Sequence, residues 1–229
     1  MTHVARWLTA LDRRRAATVL FGSIVVIGIV GALTAWLDPG NVWLDLDSEL
    51  SLGWPPSKIT LPLPAIWSAF MTAFAGIGWL AVGWGRPVTR AQAAALVFGL
   101  LLLFFAFDEL FIIHERLESR TGIDWQLIYA PIAAVAVAVL TVLIWQSRAR
   151  GHGISGMLTG AGLSWAVANA LEYVQWRGDE KIEAYVLLMV PEEMLELVGS
   201  ALLVLAAIAM LQSTAVTPKT GAPTIKAIG

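Results

Sequence analysis

Residues 93–113 read AAALVFGLLLLFFAFDELFII. From Ala93 to Phe107 no side chain is charged. A helix needs about 20 predominantly apolar residues to cross a hydrocarbon core of about 30 Å. This stretch has that length and composition, yet Asp108 and Glu109 fall inside it. It therefore reads as a membrane span with two acids near one end. The composition agrees: 58% of residues are hydrophobic, 14% are charged, and the mean hydropathy is +0.72. A soluble domain carries about 25% charged residues. Lipid is the solvent this chain is built for.

Working outward, the other apolar runs fall at 16–36, 65–84, 126–145 and 155–176, with a last one ending near Leu211. The run around Asp108 is taken as span 3, from 91 to 113, continuing as helix to Glu118. The expected architecture is an all-α polytopic bundle of six spans occupying residues 16–212. Residues 1–15 form a basic cytoplasmic N-terminus, 37–64 an outer loop rich in Pro and Trp, and 213–229 a disordered cytoplasmic tail rich in Thr, Pro, Gly and Ala. The first run is longer than the apolar core of a signal peptide, about 7–15 residues, and is read as a retained span.

Lys and Arg set the orientation. Arg6, Arg13, Arg14, Arg15, Arg86, Arg90, Arg148, Arg150, Lys219 and Lys226 gather on one side, against Lys58, Arg116, Arg120, Arg177 and Lys181 on the other. The richer side is expected in the cytoplasm, with both termini inside. Trp36, Trp84, Trp125, Trp145 and Trp176 stand near span ends, as an aromatic belt requires. The expected location is the bacterial cytoplasmic membrane.

Three spans carry acids. Asp108 and Glu109 lie in span 3, with His114 and Glu115 at its rim; Glu172 lies in span 5; Glu192, Glu193 and Glu196 lie in span 6. Insertion scales charge about 2.5–3.5 kcal/mol for one acid at mid-bilayer, so several facing lipid would be hard to tolerate. They are expected to face the bundle interior, and to be protonated, paired, hydrated or bound to metal. At a rise of about 1.5 Å per residue, Asp108 lies roughly 8 Å below the outer edge and Glu172 roughly 5 Å. Glu192 and Glu196 lie roughly 10 and 16 Å down if span 6 starts near Tyr185. Helices of alternating direction thus set their acids in one outer layer.

Facing is less consistent. Asp108 and Glu115 are seven residues apart and share a stripe on a continuous helix. Glu109 and His114 flank that stripe on opposite sides, so both cannot meet one centre without an adjustment. Glu192, Glu193 and Glu196 share one side of span 6, with Ser200 a turn further; Asn169 extends the polar face below Glu172.

Structural readings compete. Pro191 could open span 6 at its first position, where Pro is favoured, making Glu192 and Glu193 ordinary first-turn acids. A start near Glu183 or Tyr185 would instead put Pro191 inside the helix, beside the acids. His114 and Glu115 could be an interfacial pair. Asp108, Glu172 and Glu196 could be hydrogen-bonded structural acids. Asp45, Asp47 and Glu49 could be a solvated loop or a cover over the acidic layer. Phe104, Phe105, Phe107 and Phe111 read as packing, and Gly156 and Gly160 have the spacing of a close helix contact.

Carboxylates with one imidazole suit Fe, Mn, Ca or Mg. The candidate ligands are Asp108, Glu109, His114, Glu115, Glu172, Glu192 and Glu196, with His114 and Glu193 as candidates for catalytic proton transfer. Zinc is less suited, because His3 and His152 fall on the opposite side. The chain has no Cys, so thiol chemistry and Fe–S clusters are excluded, and no span holds the Lys of a retinal Schiff base. A net charge of −2 gives no ground for a nucleic-acid partner.

The strings Asp108-Glu109-x4-His114-Glu115 and Glu192-Glu193-x2-Glu196-x2-Gly199 resemble motifs that recur in uncharacterised bacterial polytopic membrane proteins. The acidic loop Asp45-Leu46-Asp47-Ser48-Glu49 is similar as well, although the Pro- and Trp-rich stretch from Trp54 to Pro64 departs from that pattern. The resemblance implies that the acids act as one unit and implies no reaction. Three functions stay open: a membrane metalloprotein acting on a lipid-side small molecule, a cation or proton transporter, and an accessory subunit of a homo-oligomer or larger membrane complex.

Overall fold

The computed structural model describes residues 2–37, 63–84, 89–151, 153–177, 180–181 and 185–215. The expected outer loop with Asp45, Asp47 and Glu49, and the tail beyond Ala215, lie outside them. Among the described residues eight helices follow in order: α1 Thr2–Ala10, α2 Arg13–Leu37, α3 Leu63–Gly83, α4 Arg90–Phe111, α5 Ile113–Thr121, α6 Trp125–Ser147, α7 Ile154–Gln175 and α8 Tyr185–Ala215. A single turn of 3-10 helix, Arg148–Arg150, follows α6. Between α7 and α8, β1 (Trp176–Arg177) pairs antiparallel with β2 (Glu180–Lys181).

Five helices are long and apolar enough to cross a membrane, within Arg13–Leu33, Pro64–Gly83, Arg90–Phe111, Trp125–Ser147 and Leu187–Thr214. The sixth expected span, α7, has 22 residues and packs beside α8. It is diluted by Ser155, Thr159, Ser164, Asn169, Glu172 and Gln175.

Helix α8 is the axis of the bundle. From Leu203 to Leu211 every side chain is buried, as are Leu197, Ser200 and Ala201. Helices α3 and α7 flank it and α2 leans on it. At the other extreme, α2 and α6 turn most of their surface outward; Val19, Val26, Leu33, Leu127 and Val137 are exposed apolar side chains suited to lipid. Where helices come closest, side chains shrink. A Cβ at Gly99 would stand 2.8 Å from the Gly76 carbonyl oxygen, and one at Gly76 would stand 2.9 Å from that of Gly99. This α3–α4 contact, with Trp79 edge-on to Phe98 at 5.7 Å, centres the packing. The expected Gly156–Gly160 contact is not the tight one: Gly160 faces Leu202, but a Cβ at Gly156 would meet nothing within 4 Å.

The basic N-terminus carries helix α1. Leu8 of α1 is buried against Ala81 and Leu211. Gln212 Nε2 donates to the Leu11 carbonyl at 2.8 Å. Helix α1 and the last turns of α8 therefore meet at one end of the bundle.

Two boundaries matter at the other end, called here the acidic end. Span 3 does not continue unbroken to Glu118. Helix α4 stops at Phe111, Ile112 turns to φ 50° and ψ 48°, and α5 starts afresh. A β-branched residue in the left-handed region costs about 1–3 kcal/mol, and Ile112 is held there with only 3% of its surface exposed. Second, α8 starts at Tyr185, so Pro191 lies inside the helix and Glu192 and Glu193 are not first-turn acids.

Candidate functional site: an acidic chamber in the bundle

The break at Ile112 supplies the adjustment that a continuous helix lacks. After it the chain folds back over the end of α4, and the His114 backbone N–H donates to Asp108 Oδ1 at 3.0 Å. His114 Nδ1 stands 2.8 Å from Asp108 Oδ2. From α6, the Tyr129 hydroxyl donates to Asp108 Oδ1 at 2.7 Å. One carboxylate, 6% exposed, thus ties α4, α5 and α6 together. With Asp108 accepting, the Nδ1–H tautomer of His114 is favoured, which makes Nε2 the acceptor nitrogen.

The other acids have partners too. Trp125 Nε1, at the first residue of α6, donates to Glu172 Oε1 at 3.1 Å. The same indole lies against the imidazole of His114, ring centres 4.9 Å apart. Gln175, the last residue of α7, donates from Nε2 to Glu192 Oε2. Trp165 fits over Gly199, and its Nε1 donates to the Glu196 carbonyl at 3.2 Å. Nearer mid-bundle, Thr72 and Ser200 hydroxyls bond to each other at 2.9 Å.

These groups enclose a chamber of about 460 Å³ between α3, α4, α6, α7 and α8. Asp108, Glu109, His114, Glu172, Glu192, Glu193 and Glu196 all line it. Six of these are acids, carried by α4, α7 and α8. The Glu115 side chain, the other expected ligand, lies outside the described ones.

The lining is not a finished metal centre. Among the described residues, no three His, Asp or Glu side chains stand close enough together to hold an ion. The physical reason is competition: Asp108 is drawn to His114 and Tyr129, Glu172 to Trp125, and Glu192 to Gln175.

Sequence reasoning missed Tyr129, Trp125, Gln175 and Trp165 as parts of the site. Trp125 and Tyr129 are four residues apart on one face of α6, and that was the available signal. Nothing in the spacing could couple Gln175 to Glu192.

A family model matches residues 17–211, which spans every helix that lines the chamber. The chain belongs to the family of the domain of unknown function DUF8692. The match to DUF8692 takes in most of α2, all of α3 to α7 and most of α8, and leaves α1 outside. No curated protein and no solved structure matches this DUF8692 chain.

Proposed function

We propose that this is a multi-pass membrane protein that binds a cation in its acidic chamber. One observation carries the reading: six carboxylates, Asp108, Glu109, Glu172, Glu192, Glu193 and Glu196, line the chamber, and no Lys or Arg is among the described lining residues. Two unit charges about 4 Å apart interact by about 4 kcal/mol at an effective dielectric of 20. So many acids around one volume must be neutralised by protons or by a bound cation. A cation that displaces those protons gains the attraction of several carboxylates together.

The same reading takes α7 as a sixth span, because it runs beside α8 for the length of the bundle. By the Lys and Arg count, the acidic end faces outward and both termini face the cytoplasm of a bacterial cell. The test is equilibrium binding of cations to the purified full chain, with pH recorded. Wild type is expected to take up one cation with release of protons, and the double variant Glu193→Gln, Glu196→Gln to lose at least tenfold in affinity. Equal binding by both would overturn the proposal.

A second reading has its own support. A carboxylate that fixes the Nδ1–H tautomer of a histidine commonly backs a metal-ligating Nε2. Asp108 stands in that relation to His114. In that case His114, Glu109, Glu193 and Glu196 are the candidate ligands for Fe, Mn, Ca or Mg, and Asp108 orients rather than ligates. The carboxylates must then turn inward to complete the sphere. Elemental analysis of purified protein decides it: stoichiometric metal supports a metalloprotein, and metal-free protein that still binds organic cations removes it. A transporter is less well supported, since the far end of the chamber, at Phe98, Leu140, Ala161 and Leu203, is apolar.

A further inference from the structure

The chamber is much longer than an ion needs. Three helices measure it independently. On α6 the lining runs from Trp125 to Leu140, on α7 from Gln175 to Ala161, and on α4 from Glu109 to Phe98. These are intervals of 15, 14 and 11 residues by sequence number, or about 16–23 Å at the helical rise. One end holds the carboxylates, His114 and two aromatic N–H or O–H groups. The other is closed by hydrocarbon.

Water does not suit that far end. A buried water needs 2–4 polar partners. The polar pair at mid-chamber, Thr72 and Ser200, is bonded within itself at 2.9 Å, and both residues are buried. A chain of methylenes suits it better, since it asks nothing of the apolar wall. The depth is at least that of one leaflet, half of a hydrocarbon core of about 30 Å. Among the described lining spans α6 is the most exposed, and its buried residues are Tyr129, Leu143 and Ser147.

We infer that the chamber seats a single-chain amphiphile whose head is a protonated amine, drawn from the surrounding lipid. The inference rests on the cation-binding reading and adds the chain. The amine lies among the acids, and the chain runs between α6 and α7 toward Leu140 and Ala161.

The test uses native mass spectrometry of the full chain in detergent, with four probes: methylamine, dodecylamine, dodecanol and dodecanoate. Wild type is expected to retain one dodecylamine against a tenfold excess of dodecanol or dodecanoate. Ala136→Phe on α6 fills the lower chamber; it is expected to weaken dodecylamine at least tenfold and to leave methylamine unchanged. Leu140→Trp repeats the measurement at the less exposed lining position one turn further along α6, should the first variant not fold. If dodecanol binds as well as dodecylamine, the head is not read by charge and the inference fails. If both variants keep wild-type affinity for dodecylamine, the chain lies elsewhere and the inference fails while the cation reading stands. If neither amine binds wild type, both fail.

Discussion

Asp108→Ala is expected to be the most damaging single change at the acidic end. The carboxylate accepts three hydrogen bonds, from the Tyr129 hydroxyl at 2.7 Å, the His114 backbone N–H at 3.0 Å and His114 Nδ1 at 2.8 Å. Hydrogen bonds between membrane helices average about 0.6 kcal/mol and reach about 1.7. Three together amount to about 2–5 kcal/mol. The upper part of that range is expected here, because the variant strands a buried hydroxyl and a backbone N–H. The break at Ile112 is also held by this carboxylate, so α5 should lose its seat. Asp108→Asn is the informative comparison. Its Oδ1 can keep the Tyr129 and backbone bonds, but an amide NH₂ now faces Nδ1, which must give up its hydrogen. The imidazole should therefore switch to the Nε2–H tautomer at a cost below that of Ala. Reversible unfolding in mixed micelles measures the stabilities, and ¹⁵N chemical shifts of His114 report the tautomer. Asp108→Ala within about 0.5 kcal/mol of wild type, or an unchanged tautomer in Asp108→Asn, would refute the reasoning.

Other expectations follow from packing and polar pairs. Gly99→Leu pushes a side chain into the Gly76 carbonyl and the Leu80 backbone, both 2.8 Å from a Cβ at that position; overpacking costs about 1–3 kcal/mol, read as lowered thermal stability in detergent. Thr72→Val and Ser200→Ala should couple in a double-mutant cycle by about 0.6–1.7 kcal/mol, the range for such bonds in membranes. Trp125→Phe keeps the ring against His114 but removes the donor to Glu172. It is expected to alter cation affinity more than stability, compared by equilibrium binding and by unfolding of the same preparation.

The spans were legible because lipid imposes one rule, a long apolar run, that each sequence segment obeys by itself. The structure starts four of the helices within two residues of the apolar runs and the first within three. The α7 segment was legible as a helix, although its polar residues set it apart from the five plainly apolar ones. The place of each acid along its helix is also open to counting, because the helical rise converts residue number to depth. What could not be counted was direction around the axis. Helical periodicity extrapolated through Ile112 sends Glu109 and His114 to opposite sides, because a β-branched residue gives no local warning of a left-handed turn. The turn is imposed from outside, by bonds that Asp108 makes with His114 and Tyr129.

That dependence bears on why the acids are tolerated. A strained Ile112, worth about 1–3 kcal/mol, persists only if the contacts it enables return more. Those contacts satisfy Asp108, the acid that span 3 would otherwise carry unpaired into the membrane. The strain and the acid are thus parts of one arrangement, and neither is stable without the other. The same bonds aim His114 at the chamber that Glu109, Glu193 and Glu196 also line. Helix α8 contributes in a similar way: Pro191, inside the helix, cannot donate to the carbonyl four residues earlier, and the two glutamates directly after it line the chamber. Irregular backbone therefore occurs beside the acids of α4 and of α8 alike. In a bilayer such irregularity is tolerated where it borders a cavity or protein rather than lipid. This is the physical ground for regarding the chamber, rather than any single carboxylate, as the unit on which function acts.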